Sequence, residues 1–277
     1  MLLVLGAGGV RGFAHLGVLE RLEAEGVRVQ GIVGCSVGGL VAAFYAGLGV
    51  PPAEMLRVGR SIAPAALLRH AWAHWTRRPD RAAWGTAGRT LGALREASFA
   101  SLHRGVRTLG ITAFDLVRRR RLLFTGCGEH REVTVSEAAI GGAAIPILFP
   151  PKRVHGGAGS YRLVDAGFLD ALPLDAAIEA GCTDGAVLAV DLSLRMGLRQ
   201  MWPAWWTRMR QAYGSRLVLI RPAVHPYGTW RYRSAEVDAI VSAGREAVTP
   251  EVLRRLRGQA GPGRGAPRAL DNGIPNH

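Results

Sequence analysis

Ser36 stands in the run Gly34-Cys35-Ser36-Val37-Gly38, a G-x-S-x-G spacing whose small residues let the backbone fold back and lift a hydroxyl clear of a sheet. Upstream, Gly6-Ala7-Gly8-Gly9-Val10-Arg11-Gly12 is a glycine-rich loop. Its amides are free of any strand ladder and, with the positive end of the helix that follows, aim at a point beside the serine. A hydroxyl next to preorganised donors is the equipment for acyl transfer. Two carboxylates are candidates to assist it. Asp165, in Asp165-Ala166-Gly167, ends the short strand Tyr161 to Val164, and Asp191 ends the apolar run Ala186 to Val190. Strand-end aspartates also serve as turn caps.

His225 offers a conventional triad with Ser36 and either Asp191 or Asp165, in the chain order of α/β-hydrolases. In that fold, however, the elbow follows several strands, whereas Ser36 follows a single β-α unit. His15, close to the glycine loop, reads as a packed or capping histidine. A dinucleotide fingerprint is disfavoured, because Arg11 takes a glycine place and Gly34-Cys35 stands where the second strand would carry an acid.

The elements that must position these residues follow from hydrophobic period and turn chemistry. Leu2 to Leu5 and Gly31 to Val33 are strand-like, and each opens a helical pattern, so the first fifty residues read as β-loop-α-β-turn-α with both loops at one edge of a parallel sheet. The first helix runs from Phe13 to Glu25, and the second stops at Gly47-Leu48-Gly49. From Glu54 to Arg104 only helical stretches occur, with Leu67, Leu68, Ala71, Trp72 and Trp75 on one face, which reads as a helical cap inserted at about residues 51–105.

Strand patterns resume at Val106 to Phe114 and Arg121 to Thr125, with Arg118-Arg119-Arg120-Arg121 read as a solvated hairpin. Thr134 is a candidate N-cap, and Ile145 to Pro151 form an extended passage. Between Leu198 and Met209 the residues Leu198, Met201, Trp202, Trp205, Trp206 and Met209 share helical spacing among arginines, suiting either a water–lipid interface or the chain's own core. Leu217 to Ile220 is the last strand and Ala235 to Arg257 the last helix. Residues 1–258 form one domain, and 259–277 read as a disordered tail.

The 277 residues, 48% of them hydrophobic, can bury a substantial core. The net charge of +14 comes almost wholly from arginine, since Lys152 is the single lysine. It makes peripheral contact with an anionic membrane a candidate, whereas the arginine run fits a solvated face rather than a nucleic-acid site. Cys35, Cys127 and Cys182 have neither disulfide-framework nor metal spacing, so no metal or cofactor is expected and the thiols read as reduced and inert. No apolar run is long enough to span a bilayer, which makes the cytoplasm the expected location. No feature of the pattern specifies an oligomeric state.

Taken together, Gly8-Gly9-Val10-Arg11-Gly12, Gly34-Cys35-Ser36-Val37-Gly38, Ala144-Ile145-Pro146-Ile147-Leu148-Phe149-Pro150-Pro151 and Asp165-x-Gly167 followed by Leu172-Pro173 resemble the patatin-like phospholipase family of serine acyl hydrolases. Order and spacing agree over about residues 1 to 190. The resemblance implies an α/β fold, a three-layer α/β/α sandwich with a mostly parallel central sheet. It implies Ser36 as nucleophile, Asp165 as its sole partner in a dyad, and an oxyanion hole from the Gly8-Gly9 backbone, extended by Val10, Arg11, Gly12 and Val37, with Gly34 and Gly38 shaping the elbow. A lipid or phospholipid is the implied substrate. The sequence departs from the family in carrying Ala166 where glycine usually follows the aspartate. If that position needs a positive φ, alanine costs about 1 kcal/mol there.

Overall fold

The computed structural model describes residues 1–61, 85–156, 159–181, 185–193, 198–228 and 234–259. Residues Leu67 to Trp75 of the expected cap and the tail from residue 260 lie outside the described residues. So does Cys182.

Eight strands form one sheet: β1 (Leu2–Leu5), β2 (Gly31–Cys35), β3 (Thr108–Asp115), β4 (Arg120–Phe124), β5 (Lys152–Gly156), β6 (Gly159–Val164), β7 (Val187–Val190) and β8 (Leu217–Ile220). Strands β3, β2, β1, β7 and β8 are mutually parallel and adjacent in that order, while β4, β5 and β6 pair antiparallel. The described helices are α1 (Phe13–Ala24), α2 (Val37–Ala42), α3 (Pro52–Ser61), α4 (Gly85–Ala93), α5 (Val135–Gly142), α6 (Leu174–Glu179), α7 (Pro203–Tyr213), α8 (Ser234–Ala247) and α9 (Pro250–Gly258).

The central strands read as unbroken apolar runs because both faces are covered. Leu3, Leu5, Ile32 and Leu109 point into one core with residues of α1, α2, α8 and α9. Leu2, Val4, Val33 and Ala189 point into another with residues of α6 and α7. Alternation along each strand thus feeds two helical layers, giving an α/β/α sandwich. Helix α5 starts where the sequence places it, on a capping box in which the Thr134 hydroxyl accepts from the Glu137 amide and the Glu137 carboxylate accepts from the Thr134 amide.

The register around β3 decides where the chain ends of β2 and β6 go. Ile111 and Thr112 pair with β4 on one flank and with β2 on the other. Two residues on, Phe114 and Asp115 pair with β4 and with β6. Strands β2 and β6 therefore share one flank of β3 and run head to head, with only Ala113 opposite the gap between them. Whatever follows Cys35 and whatever follows Val164 must meet there.

Four expectations need correction. Ile145 to Pro151 is not extended but turns back, the Phe149 amide donating to the Ile145 carbonyl at 2.9 Å. The last helix, expected over Ala235 to Arg257, is two, α8 and α9, because Thr249 caps and Pro250 starts a new one. The apolar stripe from Leu198 to Met209 is not one helical face: Leu198–Met201 form a 3-10 turn, Trp202 is an N-cap and Pro203 starts α7. The change of pitch breaks the phase. Trp205 and Met209 are buried and Trp206 is partly buried, whereas Leu198, Met201 and Trp202 are exposed. The arginine run is likewise divided. Arg119 and Arg120 are exposed, Arg118 pairs with buried Asp115 at 2.8 Å, and the side chain of Arg121 is buried although the residue as a whole is only partly so. Among the described residues no helix is long and apolar enough to cross a membrane.

Candidate active site

Ser36 follows directly on β2 and is one of the few non-glycine residues with positive φ, at 57°. That conformation turns the chain from strand to helix within one residue and presents the side chain at the bend. Glycine is required on either side by close approach: a Cβ on Gly34 would lie 2.3 Å from the Gly38 carbonyl oxygen, and one on Gly38 would lie 2.4 Å from that of Leu5. Cys35 lies wholly buried beneath, its thiol pushed well up by burial and by the Asp165 charge, so it is inert. Cys127, by contrast, is exposed in the turn after β4.

Asp165 follows directly on β6 and arrives from the opposite direction. The Ser36 hydroxyl donates to Asp165 Oδ2 at 2.5 Å, and the Gly167 amide donates to Oδ1 at 2.7 Å. The Asp165 amide is held by the Ala144 carbonyl at 2.9 Å. Burial raises the Asp165 carboxyl above its ordinary value, the bonds from Ser36 and Gly167 opposing the shift without reversing it. Ala166 is not among the residues with positive φ, so alanine carries no backbone strain there. The tight position is Gly167, where a Cβ would come within 2.9 Å of the Ala7 Cβ and 3.0 Å of Asp165 Oδ1.

The glycine loop forms a 3-10 turn over Gly9–Gly12, with Gly9 at φ 57°. The first amides of a helix have no internal acceptor, which leaves those of Gly9 and Val10 in this turn, and of Val37 at the start of α2, available to an anion. The Arg11 amide and its Nε both donate to the Gly8 carbonyl, each at 3.2 Å, so Arg11 closes the turn. Beneath it, fully buried His15 sits with Nε2 2.8 Å from the Gly6 carbonyl, tying α1 to the root of the loop. Burial lowers its pKa to about 4, so the ring is neutral and Nε2 is the donor.

The rival residues go elsewhere. Asp191 accepts from the Ser193 amide and hydroxyl and from Arg221; burial lowers the Arg11 pKa, and the Asp191 charge opposes that without reversing it. His225 is exposed beyond β8, and among the described residues it contacts neither Ser36 nor Asp165. No group of described residues could hold a metal ion.

A buried polar cluster under the Asp165 loop has no obvious mark in the sequence. Arg121 Nε lies 3.1 Å from Asp170 Oδ2, Gln200 Nε2 donates to Asp170 Oδ1 at 2.7 Å, and Trp205 Nε1 donates to Asp175 at 2.6 Å. Burial pushes the Asp170 carboxyl up to about 6 in spite of Arg121. The one available signal was period two along β4: with Leu122 and Phe124 on the inner face, Arg121 points to the opposite face of the sheet, where helices also pack.

A family model described as patatin-like phospholipase matches residues 3–178, which includes both Ser36 and Asp165. The chain belongs to the patatin-like phospholipase family. An uncharacterized NTE family protein of Mycobacterium bovis is 32% identical over 202 residues, covering 69% of this chain and 30% of its own length. The chain therefore spans about a third of that relative. Lysophospholipase NTE1 of Cryptococcus neoformans is 50% identical over 44 residues, or 16% of this chain and 3% of its own. Among solved structures, VipD from Legionella pneumophila matches with a TM-score of 0.52 at 12% identity, covering 93% of this chain and 67% of that one. That likeness is one of fold, shared over most of the chain.

Proposed function

We propose that this patatin-like domain is a serine acyl hydrolase that cleaves carboxylic ester bonds of lipids through a Ser36–Asp165 dyad. The observation that carries the reading is the hydrogen bond from Ser36 to Asp165 at the gap opposite Ala113, beside uncommitted amides. Asp165 takes the Ser36 proton as Oγ attacks the ester carbonyl carbon. The resulting oxyanion accepts from the amides of the Gly8-Gly9-Val10 stretch and of Val37. Collapse expels the alcohol, which takes the proton back from Asp165, and leaves an acyl-serine. Asp165 then deprotonates a water that attacks the acyl carbon, and the carboxylic acid departs with Ser36 reprotonated. The raised pKa of Asp165 makes it a stronger base than a free aspartate.

The names of the relatives support a lipid as the substrate class, and phospholipid or lysophospholipid esters are the first to test. A fluorophosphonate probe tests the nucleophile directly. Labelling at Ser36, lost in Ser36→Ala, is the expected result. An unlabelled wild-type protein overturns the dyad and leaves a lipid-binding module without chemistry.

A further inference from the structure

Every large hydrophobic side chain exposed among the described residues belongs to a loop leaving the same edge of the sheet as Ser36. Leu116 and Val117 form the turn after β3, which overshoots β2 at that edge. Ile147 lies in the segment after α5 whose Ala144 carbonyl holds the Asp165 amide. Phe168 stands three residues after Asp165, its carbonyl accepting from the Leu198 amide, and Met201 and Trp202 continue the same turn after β7. A folded chain scatters single apolar residues over its whole surface, so their confinement to one rim calls for a partner. Ile147 adds an independent sign. It is 94% exposed and holds φ at 74°, a conformation that β-branched residues avoid unless something compensates.

The charge on this rim selects the partner. The carboxylates on these loops, Asp115, Asp165, Asp170 and Asp191, are all buried. The cations beside them, Arg119, Arg120, Arg199 and Arg221, reach solvent. Arg120, Arg199 and Arg221 pair with Glu129, Asp175 and Asp191 while keeping part of each side chain in solvent, and Arg119 makes no ion pair among the described residues. Exposed apolar tips, a tryptophan and these solvent-reaching arginines around one opening match a bilayer with anionic headgroups better than the apolar face of a second copy, whose arginines would repel.

We infer that this rim docks on anionic membrane, with Ile147, Met201 and Trp202 entering the headgroup boundary so that the Ser36 opening faces the lipid. The choice of a bilayer rests on the lipid-hydrolase reading, but binding can be measured without hydrolysis. Ser36→Ala protein is sedimented with vesicles of phosphatidylcholine, with and without phosphatidylglycerol, and compared with the same protein carrying Ile147→Asn, Met201→Gln and Trp202→Gln. Asparagine tolerates the positive φ at 147, and no side-chain hydrogen bond is lost at the three positions.

The triple change is expected to weaken binding to phosphatidylglycerol vesicles by about 30-fold. Removing phosphatidylglycerol is expected to weaken binding of the parent about tenfold. With Ser36 restored, hydrolysis of a water-soluble ester should stay within about twofold, as none of the three residues touches the site. Parent protein that ignores the vesicles, or a triple variant that binds as well as the parent, overturns the inference. So does a concentration-dependent dimer that the triple variant abolishes, which would make the rim an interface between copies. Vesicle binding without ester hydrolysis by the Ser36 protein overturns the hydrolase reading alone.

Discussion

The Ser36 hydroxyl and the Asp165 carboxylate lie 2.5 Å apart although 129 residues separate them, because β2 and β6 abut on one flank of β3 and each releases its residue into the same gap. Strand register, rather than a flexible loop, sets this distance. A pair held by strand ends is positioned before substrate arrives, which is what the proposed dyad, with no third member, would require.

Replacing either partner should abolish turnover without unfolding the protein. Ser36→Ala and Asp165→Asn are each expected to lower kcat on a chromogenic short-chain ester by at least about 1,000-fold. Asparagine still accepts a hydrogen bond from Ser36 but takes no proton. Because burial raises the Asp165 pKa, exchanging its carboxylate for an amide should leave the melting temperature unchanged or higher. Activity within tenfold of wild type in either variant, measured on folded protein, contradicts the dyad.

The pH dependence follows from the same carboxyl. Asp165 acts as a base only when ionised, and its pKa is raised from 3.8, so kcat/KM should fall as pH drops through a midpoint above that value. The sign for stability is opposite. A carboxyl with a raised pKa binds its proton more tightly in the folded state, so Asp165 adds stability as pH falls, and acid loss of rate is not Asp165-linked unfolding. A pH–rate profile flat down to pH 3.8 would exclude Asp165 as the base.

Much of the candidate site's geometry was legible in sequence because its signals are local. The glycines around Ser36 and in the 6–12 loop are demanded by bends within a few residues, and the apolar runs of β1, β2 and β7 mark strands covered on both faces. What escaped was non-local. Arg121 reads as part of a charged turn until β4 directs it toward Asp170, 49 positions away in sequence, and its burial depends on a partner that no short window contains. The tryptophan stripe failed for a different reason: periodicity assumes one helix, and Pro203 starts a second one with its own phase.

The Arg121–Asp170 pair should behave as a unit. Arg121→Met leaves buried Asp170 with Gln200 as its hydrogen-bond donor among the described residues and Arg199 3.9 Å away, at an expected cost of about 3 kcal/mol in urea unfolding. Arg121→Met with Asp170→Asn should cost clearly less than Arg121→Met alone, since the amide keeps the Gln200 contact without a charge. Additive losses would mean that Arg121 contributes through packing and its Glu179 contact instead.

Residues 166 and 167 should respond in opposite ways to exchange of alanine and glycine. Ala166 is fully buried and free of positive φ, so Ala166→Gly relieves no strain and only loosens the unfolded chain, lowering stability by about 0.5–1 kcal/mol with kcat within twofold. Gly167→Ala puts a methyl against Ala7 and against the carboxylate oxygen that Gly167 orients, and should reduce kcat at least about tenfold. A gain in rate from Ala166→Gly would restore the view that glycine is needed after the aspartate.

His15 gives a signal that the carboxylates cannot imitate. Its pKa falls from 6.5 to about 4 on folding, so the unfolded chain binds the extra proton between those values, and stability attributable to His15 is lost as pH drops from about 6.5 to about 4. The full span amounts to about 3 kcal/mol. Asp165 and Asp170, both raised, contribute with the opposite sign in acid, so total stability against pH mixes the two. The difference between wild type and His15→Gln isolates the histidine, since glutamine can still donate to the Gly6 carbonyl but does not titrate over this range. Urea unfolding at pH 7 and pH 4.5 should show His15→Gln gaining on wild type toward acid. An unchanged difference would mean that the ring is not held neutral beneath the glycine loop.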